Sequence, residues 1–223
     1  MRPTKPHSIN ALMQRVNNIA GLTLGQLANQ YHFKTPDDLL REKGWTGQLI
    51  EYVLGATAGS KPLPDFEDLG IELKTLPISY KGKPLETTFV SVTPLINVTA
   101  MTWHSSHVRK KLNHVLWLPI LSEREITPFD RTIGSGFLWQ PTPIQDAILQ
   151  RDWEEQMELI ALGRIDEISG HLGDAMQIRP KAAHSKIVTD AIGPNGKIIK
   201  TLPRGFYLKT SFTAEILKQQ FQI

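Results

Sequence analysis

Residues Val115–Ile120 (Val-Leu-Trp-Leu-Pro-Ile) are almost wholly apolar. The run is far too short for the roughly 20 residues of a membrane span, and no other apolar stretch in the chain reaches that length. A short apolar run of this kind reads as a buried strand in the middle of a sheet, so the rest of the chain must supply partners and cover for it. Upstream, the pattern is helical. Ile9, Leu12, Met13, Val16 and Ile19 fall at helical spacing over 8–20, with Ser8 as N-cap and Gly21 as stop. Thr23 caps a second helix, Leu24–Tyr31, and Thr35-Pro36-Asp37-Asp38 is a helix-start signal. A helix over Thr46–Leu54 ends at Gly55 and turns Leu49, Ile50 and Val53 inward, with Glu51 off that face.

Beyond Gly55 the pattern changes to strands. Leu69–Leu76 and Thr87–Thr93 are rich in β-branched residues, with Tyr80–Pro84 as the turn between them. Ile126–Trp139 holds a strand punctuated by Gly134-Ser135-Gly136. Pro143–Leu162 is a long helix with Ile144, Ile148, Leu149, Trp153, Met157 and Ile160 facing inward. Gln177–Arg179 is extended before Pro180, Ala182–Ala191 reads as helical, Lys197–Lys200 and Gly205–Lys209 as strands, and Thr213–Phe221 as a final helix. Helices, then strands, then mixed elements argue for a mixed α/β or α+β core rather than regular βαβ alternation.

The 223 residues suffice for one large domain or two small lobes, with a break near 100–106 or 134–143. Cysteine is absent, which excludes disulfides, zinc–thiolate sites and a cysteine nucleophile and fits a reducing cytoplasm. Met1–Asn10 lacks the apolar core of a signal peptide. The formal charge of +3 hides an uneven distribution. Residues 140–174 carry eight acids (Asp146, Asp152, Glu154, Glu155, Glu158, Asp166, Glu167, Asp174) against two bases. Residues 179–210 carry seven bases (Arg179, Lys181, Lys186, Lys197, Lys200, Arg204, Lys209) against Asp190. A basic C-terminal face could bind nucleic-acid phosphates while the acidic helix faces away; two ordinary solvated faces are the alternative. His107–His114 forms a second basic cluster.

Several chemistries are excluded. Gly55–Pro62 has the wrong spacing for a Walker phosphate loop, no histidine pair has the HExxH pattern, and no serine sits in Gly-x-Ser-x-Gly. What remains is Pro64–Thr75. Read as a strand, it points Ile71 and Leu73 to one face and Glu72 and Lys74 to the other, with Asp65 entering from upstream. Two carboxylates suit a hard cation such as Mg²⁺, which lowers the pKa of bound water and offsets phosphoryl charge. Lys74 can orient an attacking water, and Glu51 is the candidate third carboxylate. A solvated strand face with a Glu–Lys contact worth a few tenths of a kcal/mol is the alternative at this stage.

Longer segments carry a resemblance. They include Lys43-Gly44-Trp45, Leu54–Lys61, Asp65-Phe66, Leu69–Thr75, Pro84–Val90, Ser106–Arg109, Val115–Trp117, Asp152–Glu155, Gln177–Ala182 and Thr201–Leu208. In this order, over nearly the whole chain, the sequence resembles the MutH family of strand-nicking endonucleases in methyl-directed DNA mismatch repair. The resemblance implies a restriction-endonuclease-like fold, a single domain over 1–223 whose two lobes form a DNA-binding cleft. It implies Mg²⁺-dependent nicking 5′ of G in hemimethylated GATC, on the unmethylated strand, with Mn²⁺ or Ca²⁺ as other occupants of the metal site. The catalytic and metal set would be Glu51, Asp65, Glu72 and Lys74, with the Leu73 carbonyl as a further ligand. DNA contacts would come from Lys43, Lys111, Arg179, Pro180, Lys181 and Tyr207, the last sensing adenine methylation. The implied setting is a cytoplasmic monomer, with no membrane association, activated by the MutL ATPase. A restriction enzyme cutting both strands of GATC and a GATC-binding protein without activity are the rival readings.

Overall fold

A computed structural model describes residues 3–36, 44–59, 61–182 and 186–222. The chain divides into two units, each assembled from two stretches: Met1–Glu86 with Asn113–Gln140, and Thr87–Leu112 with Pro141–Ile223.

In the first unit, helix α1 (Ile9–Ile19) starts where the Ser8 hydroxyl accepts from Ala11 N, and it buries Leu12, Val16 and Ile19. Helix α2 (Leu24–Gln30) opens with a capping box between Thr23 and Gln26. Helix α3 (Trp45–Leu54) ends at Gly55, and Arg15 Nη1 donates to the Leu54 carbonyl at 3.0 Å. Strand β1 (Glu72–Ile78) runs parallel to β3 (Val115–Leu121) in the register Glu72–Val115 and Lys74–Trp117. The other edge of β3 pairs antiparallel with β4 (Thr132–Ile133) and β5 (Phe137–Trp139). Every residue from Val115 to Ile120 is buried, as expected of a central strand. Leu116 and Leu118 join Ile71, Leu73, Leu12, Val16, Leu49 and Ile50 in one core.

In the second unit, β2 (Thr88–Val92), β9 (Arg204–Leu208) and β6 (Met176–Pro180) form an antiparallel sheet with β9 in the middle. Strands β7 (Thr189–Ile192) and β8 (Ile198–Thr201) form a separate hairpin. Helix α4 is His107–Leu112, α5 is Pro143–Ala161 and α6 is Thr210–Phe221. Helix α5 packs on β6 and buries Leu149, Trp153, Met157 and Ile160.

Several expectations change. The segment read as a helix over Ala182–Ala191 instead contributes β7; residues 183–185 lie outside the described residues. The overlooked signal is Gly193-Pro194-Asn195-Gly196, a turn with positive φ at Asn195 (59°) and Gly196 (71°) that closes a hairpin. Tyr80–Pro84 does turn, with Ser79 N donating to Lys83 O, but β1 and β2 belong to different sheets. Ile144 is 75% exposed; Gln145 is buried in its place, its Oε1 accepting from Thr142 N in the α5 capping box and its Nε2 donating to Gln219 Oε1. Of the helix start at Thr35–Asp38, Asp37 and Asp38 lie outside the described residues.

Candidate active site and nucleic-acid interface

Asp65 and Glu72 are seven residues apart, and the backbone folds them together. Phe66 N donates to Ile71 O (2.9 Å) and Ile71 N to Phe66 O (3.3 Å), closing a short loop. The loop is a single 3₁₀ turn, Glu67–Leu69, followed by Gly70 at φ 65°. A left-handed residue is required there, and glycine adopts it without a Cβ penalty. The strand therefore begins at Glu72 rather than at Leu69. Upstream, Thr57 N donates to the Asp65 carbonyl at 2.9 Å. The small-residue loop after α3 thus holds the backbone of Asp65; nothing about it requires a phosphate.

The loop closure aims the Asp65 carboxylate at the next strand, where Oδ2 accepts from Leu73 N at 2.8 Å. Lys74 Nζ lies 2.9 Å from Glu72 Oε1, and the two side chains are only 10% and 6% exposed. This is not a solvated strand face. A buried carboxylate and ammonium are held together where water screens them weakly, so each orients the other far more firmly than an exposed pair would. The residue opposite Lys74 on β3 is Trp117, fully buried, which places an indole rather than solvent in the next row of the sheet.

Asp65, Glu72 and the Leu73 carbonyl offer oxygen donors, the hard ligands Mg²⁺ prefers. Among the described residues, no three His, Cys, Asp or Glu side chains are gathered into a metal-holding group, so Glu51 does not complete a triplet with Asp65 and Glu72. Mg²⁺ commonly takes one or two carboxylates and fills its shell with water and substrate phosphate. The donor set fits the ion on those terms. Glu51 itself is half-buried on α3, where its carbonyl accepts from Gly55 N and Ala56 N at the helix end.

His114 adjoins the site through its backbone: its carbonyl accepts from Glu72 N at 3.0 Å. Partial burial pushes its imidazole below the ordinary value of 6.5. As pH falls through 6.5, the unfolded chain takes up a proton that the folded protein resists, so stability falls. Thermal unfolding at pH 5.5 should therefore occur at a lower temperature than at pH 7.5, and His114→Asn should reduce that difference. An identical pH response in the variant would contradict this.

The second unit carries a different surface. On its sheet, Phe89 of β2 pairs with Tyr207 of β9, which pairs with Gln177 of β6, while Arg179 lies opposite Gly205. The Tyr207 and Phe89 rings meet edge to face at 5.4 Å. The Arg179 guanidinium lies 5.8 Å from the centre of the Tyr207 ring, and Lys181 Nζ lies 3.1 Å from the centre of the Phe89 ring. The two aromatics thus sit together in the middle, with one cation against the π face of each. Arg179 also donates to Thr87 Oγ1 at 2.9 Å, and Lys181 N to Pro203 O at 2.7 Å. Burial raises the Tyr207 phenol above 10, with the Arg179 charge pulling the other way, so the hydroxyl stays protonated. A Cβ at Gly205 would stand 2.8 Å from Phe89 Cε2, so glycine is what lets that ring approach β9 this closely. Arg179 and Pro180 are exposed.

Lys111 lies on α4, half-buried. Arg109 of the same helix reaches Asp146 of α5 at 2.8 Å. Lys43 lies outside the described residues. The acidic stretch 140–174 is not one solvated face: Asp152 is fully buried and Asp146 is ion-paired. Nor are all seven bases of 179–210 available to a ligand, since Lys200 pairs with Asp190 and Lys209 donates to the carbonyls of His171 and Gly173. Phe89 and Asp152 lie in segments that carry the family resemblance, but no site role is expected of either from the sequence: Phe89 reads as one member of a β-branched strand and Asp152 as one of eight acids.

A mixed α/β frame with an acid–lysine strand is the equipment of a restriction-endonuclease-like DNA endonuclease. The model of the DNA mismatch repair enzyme MutH matches residues 54–152. The DNA mismatch repair protein MutH of Vibrio campbellii is 54% identical over 99% of this chain and 97% of its own length. Those of Vibrio cholerae (classical Ogawa) and Shewanella woodyi are each 53% identical over 99% of this chain, covering 100% and 96% of their own lengths. The chain belongs to the MutH family of DNA mismatch repair endonucleases. Among the described residues no helix is long and apolar enough to cross a membrane.

Proposed function

We propose that this protein nicks the unmethylated strand 5′ of G at hemimethylated GATC sites, by Mg²⁺-assisted hydrolysis, when activated by the MutL ATPase. The observation that carries the chemistry is the buried Glu72–Lys74 pair beside the Asp65 carboxylate. Asp65, Glu72, the Leu73 carbonyl and, on DNA binding, Glu51 would hold Mg²⁺, which supplies Lewis acidity and lowers the pKa of bound water. Lys74 Nζ orients the attacking water and offsets charge on the phosphoryl oxygens. Burial of the pair excludes competing water and keeps the ammonium aimed. Lys111 and Lys43 add positive charge near the scissile phosphate.

The address comes from the second unit. Arg179 is exposed and can bond O6 and N7 of guanine bidentately in the major groove, a contact worth roughly 1–3 kcal/mol of discrimination. Pro180 and Lys181 continue the same reading segment. Tyr207, neutral and braced by Phe89, meets the adenine edge, where a methyl group alters the fit. The protein acts as a monomer in the cytoplasm, where its duplex substrate and MutL are found.

The test uses unmethylated, hemimethylated and fully methylated GATC duplexes, with MutL and ATP, first in Mg²⁺ and then in EDTA. Cutting of unmethylated strands only, and none in EDTA, is expected. Cutting of fully methylated DNA would overturn the strand choice, and paired cuts in both strands at once would favour a restriction enzyme. No cutting in any condition would favour a protein that only binds.

A further inference from the structure

The strand that bears Arg179 is anchored at its first residue by a buried charge. Asp152 of α5 is completely inaccessible to solvent. Its Oδ2 accepts from three successive backbone N–H groups, Asp174 (2.9 Å), Ala175 (2.7 Å) and Met176 (2.9 Å). Its Oδ1 lies 3.2 Å from Arg151 Nη2, which also reaches Asp174 at 2.5 Å. One turn along, Gln156 Nε2 bonds both the Asp152 carbonyl (2.7 Å) and the Met176 carbonyl (3.1 Å). The approach is sterically closed as well: a Cβ at Gly173 would overlap Met176 O at 2.1 Å and stand 3.0 Å from the Asp152 carboxylate. Lys209 Nζ holds the Gly173 carbonyl from the far side.

Arg179 follows Met176 by three residues along the same strand. A strand's register decides which face each side chain takes and where along the sheet it stands. Three charge-assisted bonds to consecutive amides fix that register more stiffly than a ladder of neutral bonds would. We propose that Asp152 is a positioning residue for DNA recognition, one that locks β6 so that Arg179 and Lys181 meet Tyr207 and Phe89 in the arrangement described. This rests on the reading that Arg179 contacts the site. Asp152 touches no DNA itself; it acts through the strand.

Asp152→Asn keeps the shape but removes the charge, and it sets an amide against Arg151. Three quantities are compared in the full-length protein, the variant and Arg179→Ala: nicking of GATC over a site with one base changed, affinity for non-specific duplex at low salt, and amide exchange at β6 relative to β3. The D152N discrimination ratio should fall about tenfold, within the range expected for losing one base-reading contact. Non-specific affinity should change less than about twofold, because phosphate contacts carry it. The D152N, R179A double variant should discriminate no worse than R179A alone, since both act on one contact. Exchange at β6 should accelerate while β3 is unchanged.

An unchanged ratio in D152N beside a lowered one in R179A would overturn the proposal, and so would additive losses in the double variant. If R179A leaves the ratio intact, the reading by Arg179 fails, and β6 exchange alone then judges the anchor, with unchanged exchange refuting it. Should D152N fail to fold, Gln156→Met removes the bond to Met176 O at similar side-chain length and carries the same comparisons.

Discussion

Lys74→Ala should lower the nicking rate by about two to three orders of magnitude, as loss of a group aimed at developing charge does, while affinity for a GATC duplex stays largely intact. The expectation follows from where Lys74 sits. Its ammonium is buried beside Glu72 on β1, whose ladder partner is β3, so in the proposed mechanism it serves the reacting centre and adds little to the broad electrostatic attraction of DNA. The same substitution strands a buried carboxylate, which costs about 3–5 kcal/mol in stability. Folding and catalysis can be separated. A double variant, Lys74→Met with Glu72→Gln, removes both charges at similar volume and should recover much of the lost stability without recovering activity. Thermal unfolding and single-turnover nicking measure the two effects. If the double variant nicks DNA, Lys74 serves the fold and not the reaction.

Tyr207→Ala should bring the rates on methylated and unmethylated strands close together. The ring is the middle member of the Phe89–Tyr207–Arg179 stack, so its loss removes both the surface proposed to meet the adenine edge and the platform under the arginine. Discrimination between GATC and a one-base variant should therefore weaken in parallel. Tyr207→Phe keeps the platform and isolates the hydroxyl: the sequence preference should survive, and any change in the methylation ratio then belongs to the O–H. Nicking rates on hemimethylated duplexes labelled on each strand read both quantities. A methylation ratio unmoved by Tyr207→Ala would remove Tyr207 as the sensor.

Local pattern made much of this molecule legible. The caps at Ser8 and Thr23, the stop at Gly55 and the apolar run of β3 each depend on neighbours within a few residues, and such features are written directly in the chain. The juxtaposition of Glu72 and Lys74 was readable for the same reason, since a two-residue spacing in a strand fixes a shared face. Their burial was not. It depends on β3, some forty residues on, placing Val115 and Trp117 in register beside them. Asp152 shows the limit more sharply. Counted among acids it suggests a solvated face, yet three amides leading into β6, more than twenty residues away, make it an interior residue. Charge counts record ionisable groups and carry no information about which backbone donors will reach them. Strand β8 is legible in the sequence but its partner β7 is not, although the four-residue turn between them is a local signal, because the composition of Ala182–Ala191 is compatible with a helix.

The interleaving of the two units has a consequence for the protein's birth. Strand β1 leaves the ribosome long before β3, its parallel partner, and all of Thr87–Leu112 must emerge between them. The sheet that carries the acid–lysine pair stays open at that edge until synthesis has passed residue 121. During that interval an apolar strand edge and a buried-type ion pair are exposed together, a state prone to mispairing. Neither unit is a contiguous piece of chain, so neither can be released as a single fragment by one cut. A single truncation of the chain therefore cannot leave either unit whole without residues of the other.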